Sequence, residues 1–92
     1  MNVIILNSIA KDVKKINNSN FNDEILNFIT ILETANSIQE IPNLKKLAGH
    51  KESYRCRMGN FHIGINIENS NLILVRVALR KDFYRLFPVL FP

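Results

Sequence analysis

The spacing of apolar residues changes once along the chain, from helical before residue 53 to alternating after it, and this change divides the sequence into two kinds of structure. Met1 to Leu6 is an apolar, β-branched run that predicts a strand. Ser8 then offers an N-cap for a short helix whose inward face is Ile9, Val13 and Ile16. Asn17 to Asn20 is a polar break, and Asn20 is placed to cap a longer helix in which Phe21, Ile25, Phe28, Ile29 and Leu32 recur at helical spacing. Asp23 and Glu24 suit the first turn of that helix, where backbone N–H groups carry partial positive charge. Ile41, Pro42 and Asn43 interrupt the pattern, and Leu44 to Ser53 reads as a basic connection containing Gly49.

From Ser53 the period is two. Ser53 to Met58, Phe61 to Ile67 and Asn71 to Arg80 read as strands, separated by a Gly59-Asn60 turn and a polar turn from Glu68 to Asn71. Links this short leave no room for crossover helices, so strands adjacent in sequence pair as an antiparallel meander. The expected fold is therefore α+β: an N-terminal strand, two helices and a three-stranded meander, joined in one twisted sheet with the helices on one face. Alternation puts Tyr54, Cys56, Met58, Phe61, Ile63, Ile65, Ile67, Ile73, Val75, Val77 and Leu79 on the helix side. Arg55, Arg57, His62, Gly64, Asn66, Arg76 and Arg80 fall on the other side, which should face solvent as one concavity. Lys81 to Pro92 has two prolines in its apolar aromatic run, which predicts an irregular tail, beyond a single turn at most, packed back onto the body.

With 92 residues, 47% of them hydrophobic, residues 1–92 form one domain with its own core. Cys56 is the only cysteine, so no intrachain disulfide forms, and two histidines without a Cys pair give no zinc spacing. No cofactor or metal is expected. No stretch has the length of a membrane span or the form of a leader, which fits a soluble chain retained in a reducing cytoplasm. Charge sharpens the division between the halves. Residues 1–44 hold three lysines against five acids, a net of −2, whereas residues 45–92 hold nine Lys and Arg against three acids, a net of +6.

Such asymmetry suits a polyanionic partner, with RNA favoured, although a merely solvated basic surface satisfies the same count. The clustered arginines narrow the choice, because like charges on one sheet face repel unless an anion bridges them. Arg76, flanked by the apolar Leu72 and Leu74, is the member best placed to pair with an acid instead. Lys45, Lys46, His50, Lys51, Arg76 and Lys81 are the candidate RNA-binding residues around this face. Cys56 lies on the core side between two arginine positions and reads as a small hydrophobe.

The C-terminal half also carries a motif pattern. Leu47 and Gly49, then Tyr54, Arg55 and Arg57, then Gly59 and Phe61, then Arg80, Lys81, Asp82 and Tyr84 fall at the spacings of a Leu-Lys-Gly stretch, a Tyr-Arg-Ile-Arg strand, a Gly-Asp-Tyr-Arg turn and a late His-Arg-Lys-Asp-x-Tyr element. By these motifs residues 44–88 resemble toxins of the RelE/ParE superfamily of toxin–antitoxin modules, and the rest agrees in element order. The resemblance implies helices packed against an antiparallel sheet and an antitoxin partner. For the RelE-like branch it implies a ribosome-associated endoribonuclease that cleaves mRNA in the A site. ParE-like members inhibit DNA gyrase instead, and a degenerate toxin that binds its antitoxin without cleaving is a third reading. The nuclease reading assigns Arg55, Arg57 and Arg80 as phosphate and transition-state cations, with His62 and Tyr84 as proton-transfer or stacking groups. Two positions depart from the pattern: His62 stands where an arginine is common, and Leu79 where a histidine is. The neighbouring arginines should keep His62 neutral near pH 7 and so able to accept a proton, whereas Leu79 offers no proton chemistry.

Overall fold

Two helices form where the apolar period is helical, although their starts differ from expectation. The computed structural model describes residues 1–88. Helix α1 spans Asn7–Ile16 with Leu6 in the N-cap position, so Ser8 lies inside the first turn, and its hydroxyl donates to the Val75 carbonyl across the fold. Helix α2 spans Ser19–Thr34, and its cap is Asn18 rather than Asn20: the Asn18 side chain accepts from the Phe21 N–H at 3.0 Å. Phe21, Ile25, Phe28 and Leu32 form its buried stripe as the spacing predicts. A 3₁₀ turn at Ile38–Glu40 follows, fastened by the Glu40 carboxylate, which accepts from the Asn36 and Ser37 N–H groups at 2.7 and 3.0 Å.

The sheet has five strands, β1 (Asn2–Ile5), β2 (Leu44–Lys46), β3 (Ser53–Met58), β4 (Phe61–Glu68) and β5 (Asn71–Leu79), in the spatial order β1-β5-β4-β3-β2. Part of the expected basic connection is thus the short strand β2, antiparallel to β3 with Lys45 opposite Arg55. β1 pairs parallel with the first half of β5. Beyond it α1 takes over the same edge: Leu6 N–H donates to the Leu74 carbonyl at 3.1 Å, Ser8 reaches Val75, and the Asp12 carboxylate accepts from the Val77 N–H at 2.9 Å. Backbone groups that an open edge would leave to water are satisfied by the N-cap backbone and by helix side chains.

One irregularity resets the faces. Gly64 pairs with Arg76 but Ile65 with Leu74, so Val75 is an extra residue in β5. On the N-terminal side of this bulge Leu72 and Leu74, rather than Ile73 and Val75, enter the core with Phe28, Leu32, Ile63 and Ile65. The Gly59-Asn60 turn introduces no slip. Leu79 lies opposite Phe61 on the helix side, as parity requires, but at the strand end it is 39% exposed rather than enclosed.

The other face is covered in part, contrary to the expectation of an open concavity. Arg80–Leu86 forms helix α3, so Arg80 opens a helix rather than ending the last strand, and Lys81–Leu86 is helical where the tail was expected to be irregular beyond a single turn. Phe83 and the capping Phe87, at i,i+4, share one side of it. Both rings are buried with Leu47 and Ala78, flanked by Val75 and Leu86, in a second small core. The Phe87 ring lies against the backbone of Gly64, where a Cβ would stand 2.5 Å from it. The expected packing of Leu90 and Phe91 lies outside the described residues. No helix among the described residues is long and apolar enough to cross a membrane.

Candidate functional site

The β3–β4 hairpin and the start of α3 together build the site. Gly59 has φ of 59°, a left-handed conformation that glycine adopts without strain, and it makes the two-residue turn that leaves Arg57 beside the hairpin tip. The Arg80 N–H donates to the Asn60 carbonyl at 2.9 Å, tying the first residue of α3 to that turn. Arg57 and Arg80, both exposed, consequently line one cavity of about 240 Å³ with Gly59, Asn60, Leu79 and Lys81. Arg55 lies two residues back on the same face of β3, half-buried. Tyr84, four residues beyond Arg80 and so on the same side of α3, is 57% exposed.

His62 is surrounded by these groups but is not open to solvent. It pairs with Arg57 on one side and Ala78 on the other, and it is 3% exposed beneath α3. Its ring meets Phe83 edge-on, with centroids 5.3 Å apart at 77°, and Tyr84 at 6.1 Å and 62°. Burial, and then the fields of Arg55, Arg80 and Arg57, hold the imidazole below its ordinary pKa and therefore neutral. Nδ1 is buried without a hydrogen-bond partner. Strand parity put His62 on this face correctly, but the covering helix removes it from solvent.

The remaining candidates divide. Lys81 lines the Arg57/Arg80 cavity, and Lys45 extends the cationic face beside Arg55. Lys46, His50 and Lys51 line a separate surface hollow of about 400 Å³ around Gly49. Arg76 is not a free cation: its Nε and a terminal nitrogen donate to Asp12 at 2.9 and 3.0 Å, and that pairing raises its pKa. Among the described residues the ion pairs are Arg76–Asp12 and Arg85–Asp82, so Arg55, Arg57 and Arg80 have no acid partner. Glu52 and Glu68 lie at the far end of the hairpin strands, where sharing a hydrogen bond with Glu52 raises the Glu68 carboxyl. The Cys56 thiol, pushed up to about 12 by burial, donates to the Pro42 carbonyl at 3.2 Å and has no nucleophilic character. The sequence placed Asn60 in the turn but not against Arg80, and the seating of Phe83 under α3 went unrecognised, although the Phe83–Phe87 spacing is a helical signal.

Comparison with known proteins gives this cationic cluster its context. No family model matches the chain. Toxin RelE3 of Methanocaldococcus jannaschii is 32% identical over 89 residues, covering 96% of this chain and 100% of the relative. The chain belongs to the RelE family of toxins. A solved RelB–RelE antitoxin–toxin complex from Methanococcus jannaschii contains a chain 30% identical to it, with a TM-score of 0.79 over 92% of this chain and 99% of that one. YafQ from E. coli shares the fold alone, with a TM-score of 0.64 at 9% identity over 90% of this chain and 97% of its own. The resemblance carried by residues 44–88 therefore extends along nearly the whole RelE-family chain, and the protein is a toxin of this toxin–antitoxin class.

Proposed function

We propose that this toxin is a metal-independent endoribonuclease that cleaves mRNA on the ribosome in the cytoplasm and thereby inhibits translation. The observation that carries the reading is the convergence of Arg55, Arg57 and Arg80 around His62, without acid partners among the described residues, with Arg57 and Arg80 lining an exposed cavity and the exposed Tyr84 packed on the same histidine. Cleavage requires the ribose 2′-oxygen to attack the adjacent phosphorus as its proton departs. The bond to the 5′-oxygen then breaks, giving a 2′,3′-cyclic phosphate and a 5′-hydroxyl that takes up a proton. Charge grows on the non-bridging oxygens, and exposed guanidiniums fixed to a hairpin and a helix are already oriented to stabilise it. Tyr84 supplies an exposed flat ring for stacking on a base, while His62, 3% exposed, lies behind the cations and does not touch RNA in this arrangement. Lys45, Lys46, His50, Lys51 and Lys81 add salt-dependent attraction to the phosphate backbone.

The solved complex of the 30% identical relative with RelB supports a cognate antitoxin as the second partner. Leu79, which contributes no proton chemistry to the cavity it lines, favours one second reading: a toxin that binds antitoxin without cleaving. Primer extension on a translated message, with purified toxin and ribosomes, separates these. Cuts within the A-site codon are expected. Intact messages alongside unimpaired antitoxin binding would leave the non-cleaving reading, and intact messages with inhibited gyrase supercoiling would replace both.

A further inference from the structure

His62 is the one described side chain with a buried polar atom and no partner, and it lies under the helix that carries Arg80 and Tyr84. We propose that His62 is a positioning residue: its neutral ring is the seat on which Phe83 and Tyr84 rest, so that it holds Arg80 beside Arg57, and its protonation unseats α3 and takes the cationic site apart. The importance of the site rests on the nuclease reading above, whereas the seating itself does not.

Three observations support it. First, the groups that act on the ring are Arg55 and Arg57 on β3, Arg80 and Tyr84 on α3, the apolar Ala78 on β5 and Phe83 on α3, and on its own strand the Phe61 backbone, the one neighbour that favours the charged form and is outweighed by burial and the three arginines. No carboxylate among the described residues bonds to it to compensate a charge. A protonated ring would be a fourth cation, 3% exposed, beside three guanidiniums. Second, the ring holds α3 by two edge-on aromatic contacts, which need no proton. Third, the elements on either side differ in how firmly they are held. β3 and β4 are joined by six residue pairs of sheet. Helix α3 has seven residues and is held by the Phe83/Phe87 core and the Arg80–Asn60 bond. Hydration of the charged ring is therefore obtained most readily by moving α3 outward.

The sign follows from linkage. An unseated histidine titrates near its ordinary value of about 6.5, and the seated ring titrates lower. The seated state is thus fully favoured above about 6.5 and loses ground as pH falls below it, by up to tenfold in population for each unit.

Backbone and histidine-ring NMR of the intact chain between pH 8 and 5 tests the seating without RNA. Resonances of residues 80–86 are expected to move together with the His62 ring signals while those of α2 stay fixed. If α3 remains unchanged while the His62 ring titrates, or if the ring titrates at its ordinary value with α3 seated, the proposal is wrong. His62→Phe keeps an aromatic seat that cannot be charged, and it should abolish the acid-side movement of α3 and the acid-side fall in mRNA cleavage. An acid limb unchanged in this variant would overturn the proposal. If the variant fails to fold, the wild-type titration decides alone. Absence of cleavage at every pH would defeat the nuclease reading and leave the NMR result to judge the seat.

Discussion

The two faces of the sheet are packed to different depths. Against one, α1 and α2 enclose a continuous core that includes Phe21, Phe28, Leu32, Ile63, Ile65 and Leu74. Against the other, Leu47, Ala78, Phe83 and Phe87 make a small core, and near it Arg55, Arg57 and Arg80 have no acid partner among the described residues. Burial of apolar area on the first face supplies most of the folding free energy, which lets the second accept mutual repulsion among cations. The candidate site straddles the difference: Arg55 and Arg57 lie on β3, held by six residue pairs to β4, whereas Arg80 and Tyr84 lie on the seven-residue α3, where a small change in packing alters their geometry before it threatens the fold.

Substitutions on either side should separate these roles. The largest effect on the fold is expected from Phe28→Ala, which opens a cavity in the thick core and should cost about 3–5 kcal/mol. Urea unfolding would register this as a lower midpoint at unchanged slope, with both faces lost in one transition. Arg57→Ala and Arg80→Ala should each leave stability within about 0.5 kcal/mol, yet slow mRNA cleavage by about a hundredfold, equivalent to roughly 2.7 kcal/mol of transition-state stabilisation. Equal losses of ribosome binding and cleavage would instead mark these arginines as anchors without a catalytic role.

Gly64→Ala comes next, because its Cβ would stand 2.5 Å from the Phe87 ring. The overpacking should cost about 1–3 kcal/mol. Amide exchange should quicken in α3 and not in α2. Uniform acceleration would show that the two faces unfold as one. The smallest effect belongs to the cationic rim. Lys45→Ala should weaken RNA affinity slightly and reduce the slope of log affinity against log salt by about one if it meets a phosphate. An unchanged slope would exclude Lys45 from the interface.

What the sequence made legible follows from where periodicity is undisturbed. Phe21 to Leu32 specify α2, and the Gly59-Asn60 turn keeps β3 and β4 in register, so the convergence of Arg55, Arg57 and His62 could be read directly. The extra residue Val75 could not, since a bulge costs no apolar character and exchanges Leu72 and Leu74 for Ile73 and Val75 only once strands pair. β2 has three residues, too few to show a period. Helix α3 has seven residues and ends just before Pro88, so it holds a single apolar i,i+4 repeat, Phe83–Phe87, too short to establish a period. The Arg76–Asp12 bond joins residues 64 apart in sequence, a distance at which local pattern carries no information.

The parallel pairing of β1 with β5 also sets an order in time. Asn2 and Asn71, which bond across that pair, are 69 residues apart, so the first strand made has no partner until the fifth is made. At translation speeds of about 5–20 residues per second, the wait is roughly 3–14 s. Closing so long a loop is slow for a small domain. Arg80 and the rest of α3 follow β5 in the chain, so the arginine cluster is absent from every shorter nascent chain. Synthesis thus completes the candidate site only after β5, in a single step, and if that site is the harmful one an antitoxin need only be present when that step occurs.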